Sequence, residues 1–574
     1  MSKILKHYKP FILLIFITIA LILAQSLSEL SLPAIVARII DNGVAKEDIS
    51  YVIAGSLFML LVVALICVLS ISVGYFSSKV ASKVSQNIRE KLFVKVMSFS
   101  NAEIDKYQTS SLIVRTTNDV EQIKNFTVMF LRIVVMAPCM CIGGIYMAYQ
   151  TNAELTKYVV FAMPFIVILV VTIGKIGLPL FKRLQNNIDK LNLLVRETLT
   201  GLRVIKAFIR SDDAKEKFEK ANDDLTNTSI KVNRIMGAAM PLMMLIMNLT
   251  AVMVMWFGAE YVNASHMEVG SLISFIQYVM QIMMALAMLS MIFVMLPRAI
   301  VSAKRIDEVL NDESSILDGN VELVEDKIAI AFKDVDFAYP HAEERVLHNI
   351  SFEALSGETT AFIGSTGSGK STLIALIPRF YDVSKGNIEI NGKDIKEYTL
   401  ESLRHKIGYV QQKGVLFTGS IKDNLMYGNP DATQEDLDET SKIAQAYDFI
   451  QEKESGYDSK IAQGGKNVSG GQRQRLSIAR TLMKKPDVLI FDDSFSALDF
   501  KTDSKLRKEL KKVTKDATVL IVAQRVSTIM DADKIICLNE GEIVGIGKHK
   551  ELLKTCETYR EIAASQLSEE EMNL

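Results

Sequence analysis

The sequence is poor in the residues that disulfide-rich, fibrous and low-complexity proteins need. Its 574 residues include five cysteines, 11 prolines and 30 glycines. The cysteines are too few and too scattered for a disulfide framework, and the sequence contains no CxxC pair or Cys/His cluster of the kind that binds metal. Its 65 basic and 66 acidic residues nearly cancel. This balance argues against a globally basic nucleic-acid-binding protein and against an acidic disordered one.

Long apolar stretches are abundant in the first 310 residues. Six of them reach about 20 residues, the length that a helix needs to cross a bilayer core of about 30 Å. They cover roughly residues 11–31, 52–76, 126–149, 155–178, 235–260 and 271–296. A soluble helix of this length would need a polar face. We therefore predict an all-α membrane domain with six spanning helices over residues 1–310.

The distribution of Lys and Arg indicates how these helices are oriented. Residues 77–125 hold eight basic residues and residues 179–234 hold twelve, whereas the three opposite connections hold only Lys46 and Lys157. Because basic residues are enriched on the cytoplasmic side of membranes, both termini are expected in the cytoplasm. Helical periodicity continues through the basic connections, which predicts helical extensions that could carry a mechanical contact below the membrane. The contact segments are centred on residues 101–108 and 201–210.

The composition changes after the membrane domain. A polar linker at residues 311–327 leads into short β-branched runs at residues 329–332, 359–363 and 488–491. These runs alternate with helical segments, which is typical of an α/β domain with a parallel sheet. We predict that residues 328–574 form this second, soluble domain.

A phosphate-binding motif follows the strand at residues 359–363 and precedes a helix. It fits the pattern Gly-x4-Gly-Lys-Ser/Thr in the strand–loop–helix context that the pattern requires. The glycines let backbone N–H groups point at phosphates, the lysine supplies a positive charge, and the first hydroxyl after it can bind Mg²⁺. The motif consists of Gly364, Ser365, Thr366, Gly367, Ser368, Gly369, Lys370, Ser371 and Thr372.

Two further segments belong with this phosphate loop. The apolar strand at residues 488–491 ends in Asp492, which places a carboxylate at the sheet edge where Mg²⁺ is expected. Between the two lies a second helix start that offers N–H donors to anionic oxygens. It consists of Ser469, Gly470, Gly471 and Gln472. One nucleotide does not need two such anion-binding helix starts in one domain.

This combination resembles the ATP-binding cassette (ABC) family, in which the segment at residues 469–472 is the signature that closes over ATP held by another cassette. The resemblance implies that Tyr339 stacks on adenine and that Ser496 and Asp499 belong to a loop that communicates across a dimer. It also implies an Mg²⁺ site formed by Ser371, Gln412 and Asp492. With six spans before the cassette, the whole chain is similar to an exporter half-transporter of the multidrug type, with a membrane exporter domain followed by an α/β P-loop nucleotide-binding domain.

The sequence departs from the family at two catalytic positions. Asp493 stands where the family has the glutamate that polarises the attacking water, and Gln524 stands in place of the switch histidine. Aspartate is shorter by one methylene, about 1.5 Å of reach, and glutamine cannot carry a charge or shuttle a proton. In this respect the chain resembles the degenerate-site subunit of a heterodimeric bacterial exporter. Its own ATP site is expected to hydrolyse slowly, while its signature completes a competent site on a partner. Neutral substitution at both positions is the alternative.

Polar residues inside membrane spans are costly and by default face the bundle interior. The candidates for the wall of a translocation cavity are Gln25, Glu29, Arg132, Asn248, Gln277 and Gln281. A pairing of Glu29 with Arg132, or ordinary packing, is the alternative. The expected substrate is an amphipathic or drug-like molecule exported across a bacterial plasma membrane. A homodimeric lipid flippase or peptide exporter, an ATP-gated channel and a regulatory subunit remain alternatives.

Overall fold

Six long apolar helices form the first part of the chain, which confirms the predicted membrane domain. The computed structural model describes residues 6–325, 327–340 and 342–568, apart from the side chains at positions 178, 290, 291, 293 and 294. Within this part, six helical segments are long and apolar enough to cross a membrane. The two chain ends, expected in the cytoplasm, lie outside the described residues.

The helices of the first part alternate between long spans and short connecting segments. A short 3-10 helix, Lys6–Phe11, precedes them, and π-helical turns occupy Ile39–Val44 and Arg115–Asp119. The α-helices are α1 (Ile12–Arg38), α2 (Ile49–Met97), α3 (Asn101–Tyr107), α4 (Thr109–Val114), α5 (Val120–Thr151), α6 (Ala153–Thr200), α7 (Leu202–Ala207), α8 (Ser211–Asn263) and α9 (Val269–Asn311).

Several of these helices are much longer than a bilayer is thick. Helix α2 has 49 residues and α8 has 53. At about 1.5 Å per residue each is about 70–80 Å long, more than twice the hydrocarbon thickness of about 30 Å. The helices therefore extend well beyond the membrane, as their periodicity predicted.

The interior of the helical bundle is apolar, and much of its outer surface is apolar too. Helices α1, α5, α6, α8 and α9 pack around a core that includes Leu30, Val159, Phe275 and Ile282. Apolar side chains of α2 such as Leu60 remain exposed, because lipid rather than protein is the solvent for this face of a spanning helix.

The chain divides into two compact units, and α3 belongs to the second of them. The first unit comprises the residues up to Met97 together with Gln108–Asp312, and the second comprises Ser98–Tyr107 together with the residues from Glu313 onward. The domain boundaries drawn from the sequence, 1–310, 311–327 and 328–574, stay a prediction. The segment at residues 98–107 interrupts the membrane domain in sequence but folds with the second unit.

A buried carboxylate attaches α3 to the second unit. Glu103 is 6% exposed. It accepts hydrogen bonds from the backbone N–H of Ser100 at 2.9 Å, the hydroxyl of Ser100 at 2.6 Å and the backbone N–H of Ser315 at 3.1 Å. Burial alone would raise the pKa of Glu103, but these hydrogen bonds outweigh burial and hold the pKa below its usual range.

The second unit is an α/β domain, as predicted. Its strands are β1 (Ile330–Phe337), β2 (Leu347–Ala354), β3 (Thr359–Gly364), β4 (Lys385–Ile390), β5 (Lys393–Asp394), β6 (Ile407–Val410), β7 (Gly419–Ser420), β8 (Lys460–Ile461), β9 (Val488–Asp492), β10 (Thr518–Val522), β11 (Lys534–Asn539) and β12 (Glu542–Gly547). Its further helices are α10 (Lys370–Leu376), α11 (Leu400–Lys406), α12 (Ile421–Met426), α13 (Gln434–Ile443), α14 (Tyr447–Gln451), α15 (Gly470–Met483), α16 (Phe500–Val513), α17 (Val526–Ile529), α18 (His549–Thr555) and α19 (Glu557–Ala564).

A six-stranded sheet forms the centre of this domain. Its strand order is β12-β11-β3-β10-β9-β6, and every neighbouring pair is parallel except β12 with β11. Strand β3 is covered on both faces, since Ala361 and Ile363 pack into one hydrophobic layer and Phe362 packs into the other. A separate antiparallel sheet has the order β2-β1-β4-β5.

The parallel register brings four loops to one edge of the central sheet. Val522 of β10 pairs with Asp492 of β9 and with Phe362 of β3, and Val410 of β6 pairs with Phe491 of β9. The residues that follow these strand ends therefore converge at the carboxyl edge, which is where doubly wound sheets place their ligands.

We predict that Glu103→Ala destabilises the second unit by about 1–3 kcal/mol, because the substitution leaves buried N–H donors without an acceptor. A carboxylate with a lowered pKa stabilises the fold at a pH above the ordinary glutamate pKa, and this contribution is lost as the pH falls through the lowered pKa. Thermal unfolding of the purified full-length chain should show a deficit at pH 7 that shrinks in acid. The exposed Glu90→Ala serves as the control. An equal deficit at both pH values would contradict this account.

Candidate functional site

The phosphate loop has the backbone conformation that its glycines predict. Gly367 and Gly369 have φ angles of +88° and +91°, in the left-handed region that side chains disfavour. A Cβ at Gly369 would lie 2.6 Å from the side chain of Leu347. The loop joins the end of β3 to the start of α10 at Lys370, so the motif residues 364–372 lie together at the carboxyl edge.

Lys370 lies within this loop. Its Nζ donates to the carbonyl oxygens of Gly364 at 2.9 Å and Ser365 at 2.7 Å, and to the hydroxyl of Ser368 at 3.2 Å. Burial lowers the pKa of Lys370, and the nearby carboxylates of Asp493 and Asp492 act in the opposite direction. A partly desolvated ammonium whose hydrogen bonds go only to neutral acceptors interacts strongly with a phosphate, because a phosphate oxygen can form a charge-assisted hydrogen bond with it.

A hydroxyl and a carboxylate meet beside the loop. The hydroxyl of Ser371 donates to Oδ1 of Asp492 at 2.7 Å, and the hydroxyl of Tyr409 donates to Oδ2 of the same residue at 3.2 Å. Burial raises the pKa of Asp492, while these two hydrogen bonds lower it. Hydroxyl and carboxylate oxygens are the donors that Mg²⁺ prefers, so Ser371 and Asp492 fit the predicted metal site. When bound, Mg²⁺ would neutralise phosphate charge at this position.

The next carboxylate, that of Asp493, is held by two carboxamides. Its Oδ2 accepts from Nε2 of Gln412 at 3.1 Å and from Nε2 of Gln524 at 2.9 Å. Asp493 is 7% exposed and has a φ of +45°. The two positions that depart from the family pattern, Asp493 and Gln524, are thus hydrogen-bonded to each other. Gln412, predicted as an Mg²⁺ ligand, donates to Asp493 in this structure.

The structure adds partners that the sequence reasoning missed. Tyr409 lies three residues before Gln412, on the strand next to β9, so the parallel register could have placed it near Asp492. Gln566 Nε2 donates to the carbonyl oxygen of Gln524 at 2.9 Å, and its Oε1 accepts from the N–H of Val526 at 2.8 Å. These bonds hold the loop that carries Gln524. They are made by a residue beyond α19, and no local sequence pattern indicates them.

Tyr339 lies beside the phosphate loop. Its hydroxyl is hydrogen-bonded to that of Thr372 at 2.9 Å. Its ring is edge-on to the rings of Phe337 and Tyr381, with centroids 5.0 Å and 5.3 Å away. This half-buried aromatic side chain lies on the domain that holds the loop, as the predicted adenine contact requires.

The signature residues cap a helix and remain accessible. Ser469 is the N-cap of α15, where its hydroxyl accepts from the N–H of Gln472 at 3.2 Å and Gln472 Oε1 accepts from the N–H of Ser469 at 3.1 Å. A Cβ at Gly470 would have no neighbour within 4 Å, and one at Gly471 would lie 3.3 Å from the carbonyl oxygen of Ala497. Ser469 and Gly470 are exposed, so another molecule can reach them.

The predicted dimer loop follows directly after Asp493. The hydroxyl of Ser496 donates to the carbonyl oxygen of Asp493 at 2.8 Å. Asp499 is the N-cap of α16 and accepts from the N–H of Thr502 at 3.0 Å. Both Ser496 and Asp499 are exposed. The loop therefore joins the carboxylate site to the domain surface.

Three of the candidate cavity residues are joined by hydrogen bonds through Glu29. Nε2 of Gln25 donates to Oε1 of Glu29 at 2.9 Å, and Nε2 of Gln281 donates to the carbonyl oxygen of Glu29 at 3.4 Å. Glu29 thus takes its hydrogen bond from Gln25 and not from Arg132, the partner considered from the sequence. Arg132 and Asn248 are exposed on the chain and Gln277 is partly buried.

We predict that Lys370→Ala weakens binding of MgATP to this chain at least about tenfold, because it removes charge-assisted hydrogen bonds of about 1.5–3 kcal/mol. Displacement of a fluorescent ATP analogue from the purified chain measures the effect. Lys515→Ala, which removes an exposed lysine of the same unit, should leave the affinity unchanged. Equal affinities for the two variants would show that Lys370 does not hold the phosphates.

Comparison with known proteins gives the same assignment for both halves. Residues 14–286 match the model of the ABC transporter transmembrane region, and residues 347–496 match the ABC transporter model. The chain is 39% identical over 567 residues to an uncharacterized ABC transporter ATP-binding protein of Mycobacterium tuberculosis, with 98% of this chain and 97% of that protein covered. It is 37% identical over 577 residues to the uncharacterized ABC transporter ATP-binding protein YfiB of Bacillus subtilis, with 99% of both covered.

A solved structure shares the fold. The structure of a bacterial Atm1-family ABC exporter with ATP bound superposes with a TM-score of 0.80 and 24% sequence identity, covering 98% of this chain and 99% of that one. With the phosphate loop, the strand-end carboxylates and the signature helix start in place, this chain belongs to the ABC transporter family, with its transmembrane and ATP-binding domains in one polypeptide.

Proposed function

We propose that this chain is one half of an ATP-driven exporter of a bacterial plasma membrane. In this proposal it pairs with a different half-transporter, and its own ATP site hydrolyses slowly. The pair moves amphipathic or drug-like substrates outward. The observation that carries the proposal is the Asp493 carboxylate, one oxygen of which accepts hydrogen bonds from both Gln412 and Gln524.

The shorter acid is a poor general base for three reasons. It has about 1.5 Å less reach than glutamate. Its Oδ2 already accepts hydrogen bonds from two N–H donors, so this oxygen is not free to take a proton from an attacking water within hydrogen-bond reach. It is also 7% exposed, so water has little access to it. A positioned general base contributes about 10² to 10⁴ in rate, and much of that factor would be missing here.

Gln524 adds to the impairment. A histidine at this position could carry a proton or a positive charge near the γ-phosphate, whereas a carboxamide can do neither. Its Nε2 donor is directed at Asp493. In the proposal, the two departures from the family act as a unit that holds the site closed around ATP without cleaving it efficiently.

The features that bind nucleotide are complete. The phosphate loop has its glycine conformations and its lysine, and Ser371 and Asp492 supply hard oxygen ligands. These groups would hold the phosphates and Mg²⁺, while Tyr339 would contact the adenine. A site that binds but seldom hydrolyses would stabilise the closed pair of cassettes. The site completed by this chain's signature would supply the hydrolysis that resets the transporter.

Exposed apolar residues support a partner chain. Helix α7 and the residues after it lie outside the predicted spans, yet Leu202, Val204, Phe208 and Ile209 are exposed, Ile209 by 88%. Four apolar side chains within eight positions form a patch that soluble surfaces seldom carry without a binding partner. This segment matches the contact segment 201–210 predicted from the sequence. In the proposal a second half-transporter covers it and receives the movement of the long helices.

The isolated chain is predicted to hydrolyse ATP about 10²-fold more slowly than the complex purified from its native membrane through a tag on this chain. In that complex, Ser469→Ala should abolish most of the hydrolysis, because it damages the site whose phosphate loop belongs to the partner. Ser565→Ala, at an exposed serine after α19, is the control. ATP turnover by identical copies of this chain at the rate of the complex would disprove the heterodimer and would favour the homodimeric alternative.

A further inference from the structure

The adenine-side tyrosine belongs to a cluster of three aromatic rings. Tyr339 and Tyr381 meet edge to face, with centroids 5.3 Å apart and ring planes at 87°. Phe337 meets Tyr339 at 5.0 Å and 79°. Edge-to-face pairs at these distances are directional, so the orientation of one ring restricts that of the next. Tyr381, five residues after the end of α10, therefore restricts the orientation of the ring predicted to contact adenine.

The other end of Tyr381 reaches α3. Its hydroxyl donates to Oδ2 of Asp105 at 2.8 Å. Burial, and then the neighbouring Asp105, raises the pKa of Tyr381 above its usual range. The phenol consequently keeps its proton at neutral pH and remains a donor. A neutral phenol bonded to a carboxylate forms a charge-assisted hydrogen bond, which is stronger than one between neutral groups.

Helix α3 is a short segment held at two points. Glu103 bonds to Ser315 on one side, and Asp105 bonds to Tyr381 on the other. The rings of Phe99 and Tyr107 stack across its two ends at 5.9 Å and 9°. Through the chain itself, α3 continues into α2 and α4, since α2 ends at Met97 and α4 begins at Thr109.

We propose that Tyr381 is a positioning residue that links the adenine contact at Tyr339 to α3. In this proposal, α3 is held more firmly when this chain's own site contains a nucleotide with its base than when the site contains phosphates alone. The proposal rests on the proposed function in taking Tyr339 as the adenine contact. It does not depend on how fast this site hydrolyses ATP.

Two parts of the tyrosine have separate roles in this proposal. The ring of Tyr381 supports Tyr339, whereas the hydroxyl bonds Asp105. Tyr381→Phe keeps the ring and removes only the hydroxyl, so ATP affinity should change by less than about twofold while the link to α3 is lost. A purely structural role for the hydroxyl would weaken α3 equally with and without nucleotide.

The test is hydrogen–deuterium exchange of residues 98–107 in the complex purified from its native membrane. In the unmodified complex, MgATP should slow exchange in this segment, whereas magnesium tripolyphosphate, which lacks a base, should not. Tyr381→Phe and Asp105→Ala should each reduce the ATP-dependent protection about fivefold, the factor expected for one hydrogen bond. Asp105→Asn retains an acceptor oxygen and should keep most of the protection.

Two further comparisons make the outcome decisive. The double variant Tyr381→Phe/Asp105→Ala should lose no more protection than either single variant, because both remove the same bond. Tyr427→Phe, which removes an exposed phenol of the same unit, is the control and should behave like the unmodified complex. Full ATP-dependent protection in Tyr381→Phe, additive losses in the double variant, or equal protection by tripolyphosphate would overturn the proposal. None of these results depends on ATP turnover, so the proposal that this chain's own site hydrolyses ATP slowly is tested separately.

Discussion

In the proposed function, slow hydrolysis at this cassette depends on the hydrogen bonds that two carboxamides donate to one carboxylate oxygen. Gln412 and Gln524 both bond to Oδ2 of Asp493, the residue that follows the metal-side acid Asp492. The same sheet edge therefore presents one carboxylate arranged for Mg²⁺ and another stabilised as a hydrogen-bond acceptor. In the proposed function, this difference in local bonding would separate nucleotide binding from nucleotide cleavage, which use neighbouring residues.

In the proposed heterodimer, this separation would give the two composite ATP sites different roles. A site with an intact phosphate loop but a short, already hydrogen-bonded acid would keep ATP bound and hold the cassettes together. In the proposal, the signature at Ser469 and Gly470, which is exposed, would complete the other site. In the proposed function, helices of the first unit that are about 70–80 Å long would carry movement from a contact segment such as α7 into the membrane. Through the contacts of Tyr339, Tyr381 and Asp105, the response of α3 would also depend on the presence of the adenine base.

The sequence predicted the elements whose signals lie in a few consecutive residues, and it missed several specific contacts between side chains. Six apolar stretches, a glycine-rich loop after a strand, and Asp492 at the end of an apolar strand were each recognisable from a few consecutive residues. The place of α3 in the second unit was not recognisable in this way. It depends on the contacts of Glu103 with Ser315 and of Asp105 with Tyr381, whose partners are more than 200 positions apart in the sequence. The bond from Gln25 to Glu29 was missed in favour of a longer-range pairing, although residues four apart on a helix face are natural partners.

Restoring the longer acid and the imidazole tests the central claim most directly. The complex should carry Asp493→Glu and Gln524→His in this chain, with the phosphate-loop lysine of the partner replaced by alanine so that only this chain's site can turn over. The account predicts that ATP hydrolysis rises about 10²-fold over the same complex without the two restorations. Turnover that is unchanged by the restorations, or already brisk before them, would contradict it.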